Sequence, residues 1–334
     1  MTLPRRRVLL IEGSPAPTTH IARILRPLVD DLRSMSALPE ALSEGDLLVV
    51  DYDALSAEDR ARYIRELSVA RRSAPVLLVS SRRCREDFVP LFAGHALTNL
   101  LAKDGEVDAG DLIVTTQKLL RRDIFGLEKY FAWGVEPLVE EATRSSDKER
   151  ILRWAEVYLK SIDVRARFAE LFYSVVEELV TNAIYNAPVN GAGERRYAHF
   201  PRTQEVALEP GEQVEVRLCC DGRRLGVAVS DPFGSISQEQ VLDYLAKCFR
   251  RSSDQVDTKP GGAGLGLFYV FQALSHMVIN IRPGERTEVI GLIDIGGSYK
   301  DFAGKPKSFN IFVGDPGPRA AKRHERETGE RGVK

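Results

Sequence analysis

Several things are scarce in this chain. Only four cysteines occur in 334 residues: Cys84, Cys219, Cys220 and Cys248. They lack metal-ligand spacing, and Cys219 and Cys220 adjoin in a strand-like run, so their side chains point to opposite faces. That argues against a disulfide-stapled scaffold and a thiolate metal site, and for free thiols in a cytoplasmic protein. No apolar run approaches the ~20 residues of a membrane span. The basic start Met1–Arg7 leads into an apolar run too short for a signal peptide. Charge of one sign is also missing: 47 Lys and Arg stand against 48 Asp and Glu, a formal net charge of −1. No global field is left to gather nucleic acid or an anionic membrane. Short basic clusters such as Arg5–Arg7 and Arg82–Arg85 read as solvated faces.

What is present reads as two domains and a tail. Over 1–122, apolar runs alternate with helical patterns. The runs are Arg7–Ile11, Asp46–Asp51, Pro75–Ser80 and Leu97–Lys103, and the first helix carries Ile21, Ile24, Leu25 and Leu28 on one face. Continuous apolar strands between helices predict a doubly wound parallel sheet buried on both faces, with functional groups at the strands' carboxyl ends. Residues 123–145, with Phe125, Tyr130, Phe131 and Trp133, read as a helical linker packing aromatics on a neighbour. Residues 146–316 form the second α/β domain. Ser146 and Glu149 stand at capping-box spacing before a helix to about Ile162, and a second helix runs from Arg165 to Asn186. Pro188–Pro210 reads as loops. Asp221-Gly222 joins two alternating strands as a hairpin, a helix covers 237–250, and Leu265–Met277 is helical. Strands follow at Val278–Arg282, Val289–Ile295 and Phe309–Val313. The charged tail 317–334 lacks apolar content and is expected to be disordered.

Four features of the second half carry chemistry. Glu178 and Asn182 lie four residues apart in Glu178-Leu-Val-Thr-Asn182, so on a helix they share a face. A carboxylate and an amide there suit a hydrated Mg²⁺, which takes few protein ligands; structural helices also show polar residues at this spacing. Asp231 ends a strand at the turn Asp231-Pro-Phe-Gly234, where a carboxylate can accept from an exocyclic amine or simply start a turn. Gly261-Gly-Ala-Gly-Leu-Gly266 leads into a helix, so backbone N–H groups and the helix N-terminus can meet phosphate oxygens. No Lys-Ser/Thr follows, which excludes a Walker loop, and the polar segment before it does not suit a dinucleotide fingerprint. Ser308 enters the last strand, where its hydroxyl could reach the Asp231 turn.

In this order and spacing the features resemble the histidine-kinase-like ATPases, over roughly residues 145–315. Glu178–Asn182 is similar to that family's N box, Asp231–Gly234 to its first glycine box and Gly262–Gly266 to its second. Ser308 stands where a Thr or Ser usually follows the last loop. The resemblance implies an α/β sandwich, a mixed sheet covered on one face by helices, with ATP between the layers. It implies that Asn182 ligates Mg²⁺, that Asp231 reads the adenine amine, and that Gly262, Gly264, Leu265 and Gly266 border the triphosphate. Asn186, one turn on, would contact phosphate, and Glu178 would be the general base. Phe233 and Ser235 replace the usual glycines of the first box, so Phe233 would narrow the adenine pocket or reshape the turn.

None of the five histidines lies within 123–175, which disfavours a histidine autokinase. The pattern looks more like the anti-sigma-factor serine kinases, where a Glu base serves a Ser hydroxyl whose pKa lies far above 7. Over 6–121 the chain resembles a response-regulator receiver, a flavodoxin-like fold. There Asp51 stands at the phospho-acceptor position with Ser80 and Lys103 at the next strand ends. Of the family's acidic pair only Glu12 is present. The expectation is a signalling protein that binds ATP·Mg and acts on a partner protein, as a Ser/Thr kinase or anti-sigma-type regulator. The alternative is a non-catalytic, nucleotide-gated binding module with a pseudo-receiver. A homodimer is left open.

Overall fold

The computed structural model describes residues 6–12, 19–37, 46–62, 74–82, 91–92, 94, 97–251 and 265–317. The chain is α/β and divides into two units. One comprises Met1–Ile124, Leu242–Gly262 and Gly304–Asn310; the other comprises Phe125–Val241, Ala263–Ala303 and Ile311–Lys334. The units interleave in sequence, where a single cut near residue 122 was expected. Among the described residues no helix is long and apolar enough to cross a membrane.

The first unit is built on parallel strands β1 (Arg7–Ile11), β2 (Asp31–Met35), β3 (Asp46–Asp51), β4 (Val76–Ser80) and β5 (Asn99–Asp104), in the order β2-β1-β3-β4-β5. A short β6 (Glu106–Val107) folds back on the end of β5. Alternation along the strands sends Val8, Leu10, Leu47, Val49, Leu77, Val79 and Leu101 to one face. There they pack with Ile21, Ala22 and Leu25 of α1 (His20–Leu25) and Leu112 of α2 (Ala109–Arg121). Leu9, Ile11, Leu48, Val50 and Leu78 are buried as well, which explains the continuous apolar runs. Asp108 caps α2 by accepting from the Asp111 N–H.

Strand β2 went unpredicted because its sequence Asp-Leu-Arg-Ser-Met is half-buried at an edge and lacks an apolar run. Later segments also join this unit. Phe309 and Asn310 pair antiparallel with Leu100 and Asn99 of β5. Phe249 stacks on Phe92 at 5.4 Å. Residues 57–62 are helical; the rest of the expected 57–72 helix lies outside the described residues.

The second unit has an antiparallel sheet in the order β7-β8-β9-β11-β10. Its strands are β7 (Leu138–Ala142), β8 (Val214–Cys220), β9 (Arg224–Asp231), β10 (His276–Arg282) and β11 (Arg286–Asp294). Asp221 Oδ1 accepts from the N–H groups of Arg223 and Arg224, and Gly222 sits at φ +82°, which closes the expected hairpin. Helices α3 (Asp147–Ser161), α4 (Ala166–Tyr185) and α6 (Leu265–Ala273) belong here; α5 (Gln238–Arg251) falls across the division of the chain. A Cβ on Gly291 would crowd Val175 of α4 and Leu274, so that face of β11 looks at α4. A Cβ on Gly226 would instead crowd Phe131, on the opposite face.

Three local expectations are corrected. Residues 123–145 are not helical: Leu127–Tyr130 is a 3₁₀ turn and β7 adds an edge strand to β8. Gly126 explains this, because its φ of +115° and its N–H bond to the buried Glu288 carboxylate (3.0 Å) are incompatible with a helix. Ser146 does not cap α3; its hydroxyl bonds Glu205, and Asp147 Oδ2 instead accepts from the N–H groups of Thr143 and Arg144. Helix α6 stops at Ala273, short of Met277, because Ser275 N–H already bonds Leu292 O and starts the β10–β11 ladder. The tail beyond Gly317 lies outside the described residues.

Candidate functional site

Helix α4 organises the second unit. Its sequence puts Phe172, Val175, Val176, Leu179 and Val180 in the core and leaves Glu178, Asn182 and Asn186 on a stripe four residues apart. The stripe is wired in series. Asn182 Nδ2 donates to Glu178 Oε1 at 2.8 Å, and Asn186 Nδ2 donates to Asn182 Oδ1 at 2.6 Å. Arg202 donates to Asn186 Oδ1 at 3.3 Å while lying 4.5 Å from the Tyr185 ring centroid, and Arg195 donates to the Asn186 carbonyl at 2.8 Å.

Two other motifs meet this helix. A Cβ on Gly266, the second residue of α6, would overlap the Glu178 carboxylate. The two segments approach that closely only because residue 266 is glycine. At the far end of α4, Ser235 Oγ donates to the carbonyl of Ala187 at 2.8 Å. Ser235 follows the Asp231 turn, so the turn is tied to the end of the stripe.

Asp231 shares the α4-facing side of the sheet. Gly291 looks at α4, so alternation gives Val289 and Thr287 the same face, and the register puts Thr287 opposite Asp231. The carboxylate is buried, and burial pushes it up to about 7 against the Phe233 and Gly234 N–H groups and the Arg286 charge. The Phe233 N–H donates to Asp231 Oδ1 at 3.0 Å, and the Thr287 hydroxyl is buried without a hydrogen-bond partner among the described residues. Gly234 is required by packing: at φ +55° its missing Cβ would strike the backbone of Arg282 and Gly284, and its carbonyl accepts from Gly284 N–H at 3.1 Å. Phe233 is buried beneath the Arg196 guanidinium, 5.9 Å from its ring centroid.

Gly262 and Gly264 lie outside the described residues, and Leu265 begins α6. Ser308 belongs to the first unit, where its Oγ accepts from the Ala102 N–H at 2.9 Å. Thr287 and Arg202 were missed by sequence reading, and Ser235 was noted only as a replaced glycine. Thr287 could have been found only through the β9–β11 register, which no local pattern encodes.

The first unit holds a second polar cluster at the ends of β1, β3, β4 and β5. Lys103 Nζ lies 2.7 Å from Asp51 Oδ1 and 3.5 Å from Asp53 Oδ2. Ser80 Oγ and the Ser81 N–H both donate to Asp53, at 2.8 and 2.6 Å. Burial raises the Asp53 carboxyl, but these bonds and the Lys103 charge bring it below its ordinary value. Glu12 is buried and raised, chiefly by burial, and one of its oxygens has no hydrogen-bond partner. Asp53 and Ser81 were not singled out in the sequence. No group of three or more His, Cys, Asp or Glu side chains able to hold a metal occurs among the described residues.

Comparison of the chain with protein-family models and with curated proteins finds no match.

Proposed function

We propose that the second unit binds ATP·Mg between α4 and the β9–β11 face. On this reading the protein is a signalling protein that acts on a partner protein, as a Ser/Thr kinase or anti-sigma-type regulator. The observation that carries the proposal is the convergence on α4 of motifs far apart in sequence. Glu178 touches Gly266 at the start of α6, Ser235 ties the Asp231 turn to Ala187, and Asp231 faces the same layer beside Thr287. Asp231 accepts the adenine amine, the backbone entering α6 borders the phosphates, and Arg202 and Asn186 stand near the end of the stripe to receive phosphate oxygens.

The residues fit a hydrated Mg²⁺. Asn182 Oδ1 accepts one bond, from Asn186, and keeps a second lone pair. A cation that retains several waters needs few protein ligands. When bound, it would neutralise charge on the triphosphate. Glu178 would hold the proton of a partner's Ser hydroxyl.

The β2-β1-β3-β4-β5 order of the first unit is the flavodoxin-like one, which supports a receiver-like role as a regulatory domain. A second reading, a non-catalytic nucleotide-gated module, is favoured by one contact: Glu178 Oε1 already accepts from Asn182, so that oxygen is engaged within the protein.

Calorimetry with ATP and Mg²⁺ tests the central claim, comparing wild type with Asn182→Ala. Saturable binding that the substitution weakens supports it, and absence of binding by wild type refutes it. Glu178→Ala then separates the readings. Transfer to a partner that is lost while binding persists supports a kinase; a wild type that binds but neither transfers nor hydrolyses supports the module.

A further inference from the structure

We infer that the first unit carries its own anionic ligand: the Asp53 carboxylate fills an anion site built by Lys103, Ser80 and Ser81. The argument stands on geometry and does not depend on the nucleotide reading. Its meaning for signalling rests on the receiver-like reading of this unit.

A strand-end site that takes a phosphoryl or phosphate group needs a cation, a hydroxyl and a backbone N–H converging on one place. Lys103, Ser80 and Ser81 supply these three donors. Both oxygens of Asp53 are engaged by them. Oδ1 accepts from the Ser80 hydroxyl and Oδ2 from the Ser81 N–H, with Lys103 Nζ 3.5 Å from Oδ2 and Arg82 Nε 3.8 Å from Oδ1. Asp53 is therefore bound as an external oxyanion would be.

The chain holds it there. Asp53 sits in the 3₁₀ turn Tyr52–Ala54, and its N–H donates to Asp51 Oδ1 at 3.2 Å. Tyr52 is buried, with Arg60 and Arg82 guanidinium groups 5.8 and 5.9 Å from its ring centroid. A tethered carboxylate on a fixed turn competes with any free anion at high effective concentration. The unit is thus set permanently in an anion-bound arrangement, and its surface is presented to a partner without waiting for a phosphoryl donor.

The test measures inorganic phosphate binding by calorimetry in the full chain. The reference is Asp51→Asn, which removes the neighbouring carboxylate charge that repels any anion. Asp51→Asn/Asp53→Ala should bind phosphate on the order of tenfold more tightly than the reference, because the site is no longer occupied from within. Adding Lys103→Ala should abolish the gain. Equal affinity with and without Asp53 overturns the proposal, as does a gain that survives loss of Lys103. Thermal unfolding checks each variant; should Asp53→Ala fail to fold, Asp53→Asn keeps the shape, removes the charge and carries the same comparison. Phosphate binding at the proposed nucleotide site is common to all these variants and cancels, so failure of either proposal leaves the other readable.

Discussion

The strand-end cluster of the first unit and the α4 stripe of the second are both lines of polar side chains on apolar scaffolds, but they are satisfied differently. In the cluster, Asp51 and Asp53 share Lys103, and Asp53 also takes hydroxyl and amide donors, so both carboxylates are held by groups within the protein. In the stripe, Glu178, Asn182 and Asn186 bond in series, each amide donating to the residue one turn before it. Among the described residues no ion pair to Glu178 occurs, and Asn182 keeps acceptor capacity. A closed set of charges favours the fold; an open chain of amides favours a ligand. Substitutions should therefore cost stability in the first region and binding in the second.

The largest effect is expected at the cluster. Lys103→Ala leaves Asp51 and Asp53 facing each other with the cation they share gone, in a site where all three side chains are mostly buried. A loss of about 3 kcal/mol is expected, read from denaturant unfolding. A loss below ~1 kcal/mol would break the contrast.

Asn182→Ala is the counterpart. ATP affinity should fall on the order of thirtyfold, about 2 kcal/mol, while unfolding free energy moves by less than ~1 kcal/mol. The reverse pattern would make the stripe structural.

The pH dependence of Asp231 sharpens the picture within the second unit. Its folded pKa of about 7 exceeds the ordinary 3.8, so the native state holds the proton more tightly than the unfolded chain. Its stabilising contribution is complete below about 3.8 and is lost as pH rises through about 7. Wild type should lose at least ~1 kcal/mol relative to Asp231→Asn between acid and neutral pH, measured by urea unfolding at each pH. A flat difference would show that the carboxyl is better solvated than its burial implies.

The smallest effect is expected for Gly266→Ala. The atoms its methyl would strike are the far end of the Glu178 side chain, which can swing aside, so stability should drop by only about 1 kcal/mol. Nucleotide affinity should fall with it, and Gly266→Ala/Glu178→Ala should regain the stability but not the binding. Additive losses in that pair would deny the contact.

Apolar periodicity made the frame readable. The runs ending at Ile11, Asp51 and Ser80 are parallel strands, and the stripe at 178, 182 and 186 lies along one helix. Residues that depend on pairing or on a turn were hidden. Thr287 meets Asp231 only through strand register. Asp53 reaches Ser80 and Ser81 because a 3₁₀ turn carries it back over the strand ends. Strand β7 was masked by aromatics that looked helical, and Gly126 was the residue that contradicted them. The surroundings of Ser308 were hidden for a similar reason: its strand pairs with one about two hundred residues earlier, which no local pattern encodes.

Gly234 bears on how a future set of related sequences should be weighed. Its lack of a side chain is demanded by the backbone of the neighbouring hairpin, so selection for folding alone would preserve it, even in a lineage that had abandoned nucleotides. Asn182 is under no such steric demand. In an alignment, an invariant Gly234 would testify to architecture, and the survival or decay of Asn182 beside it would bear on whether the proposed nucleotide site was kept.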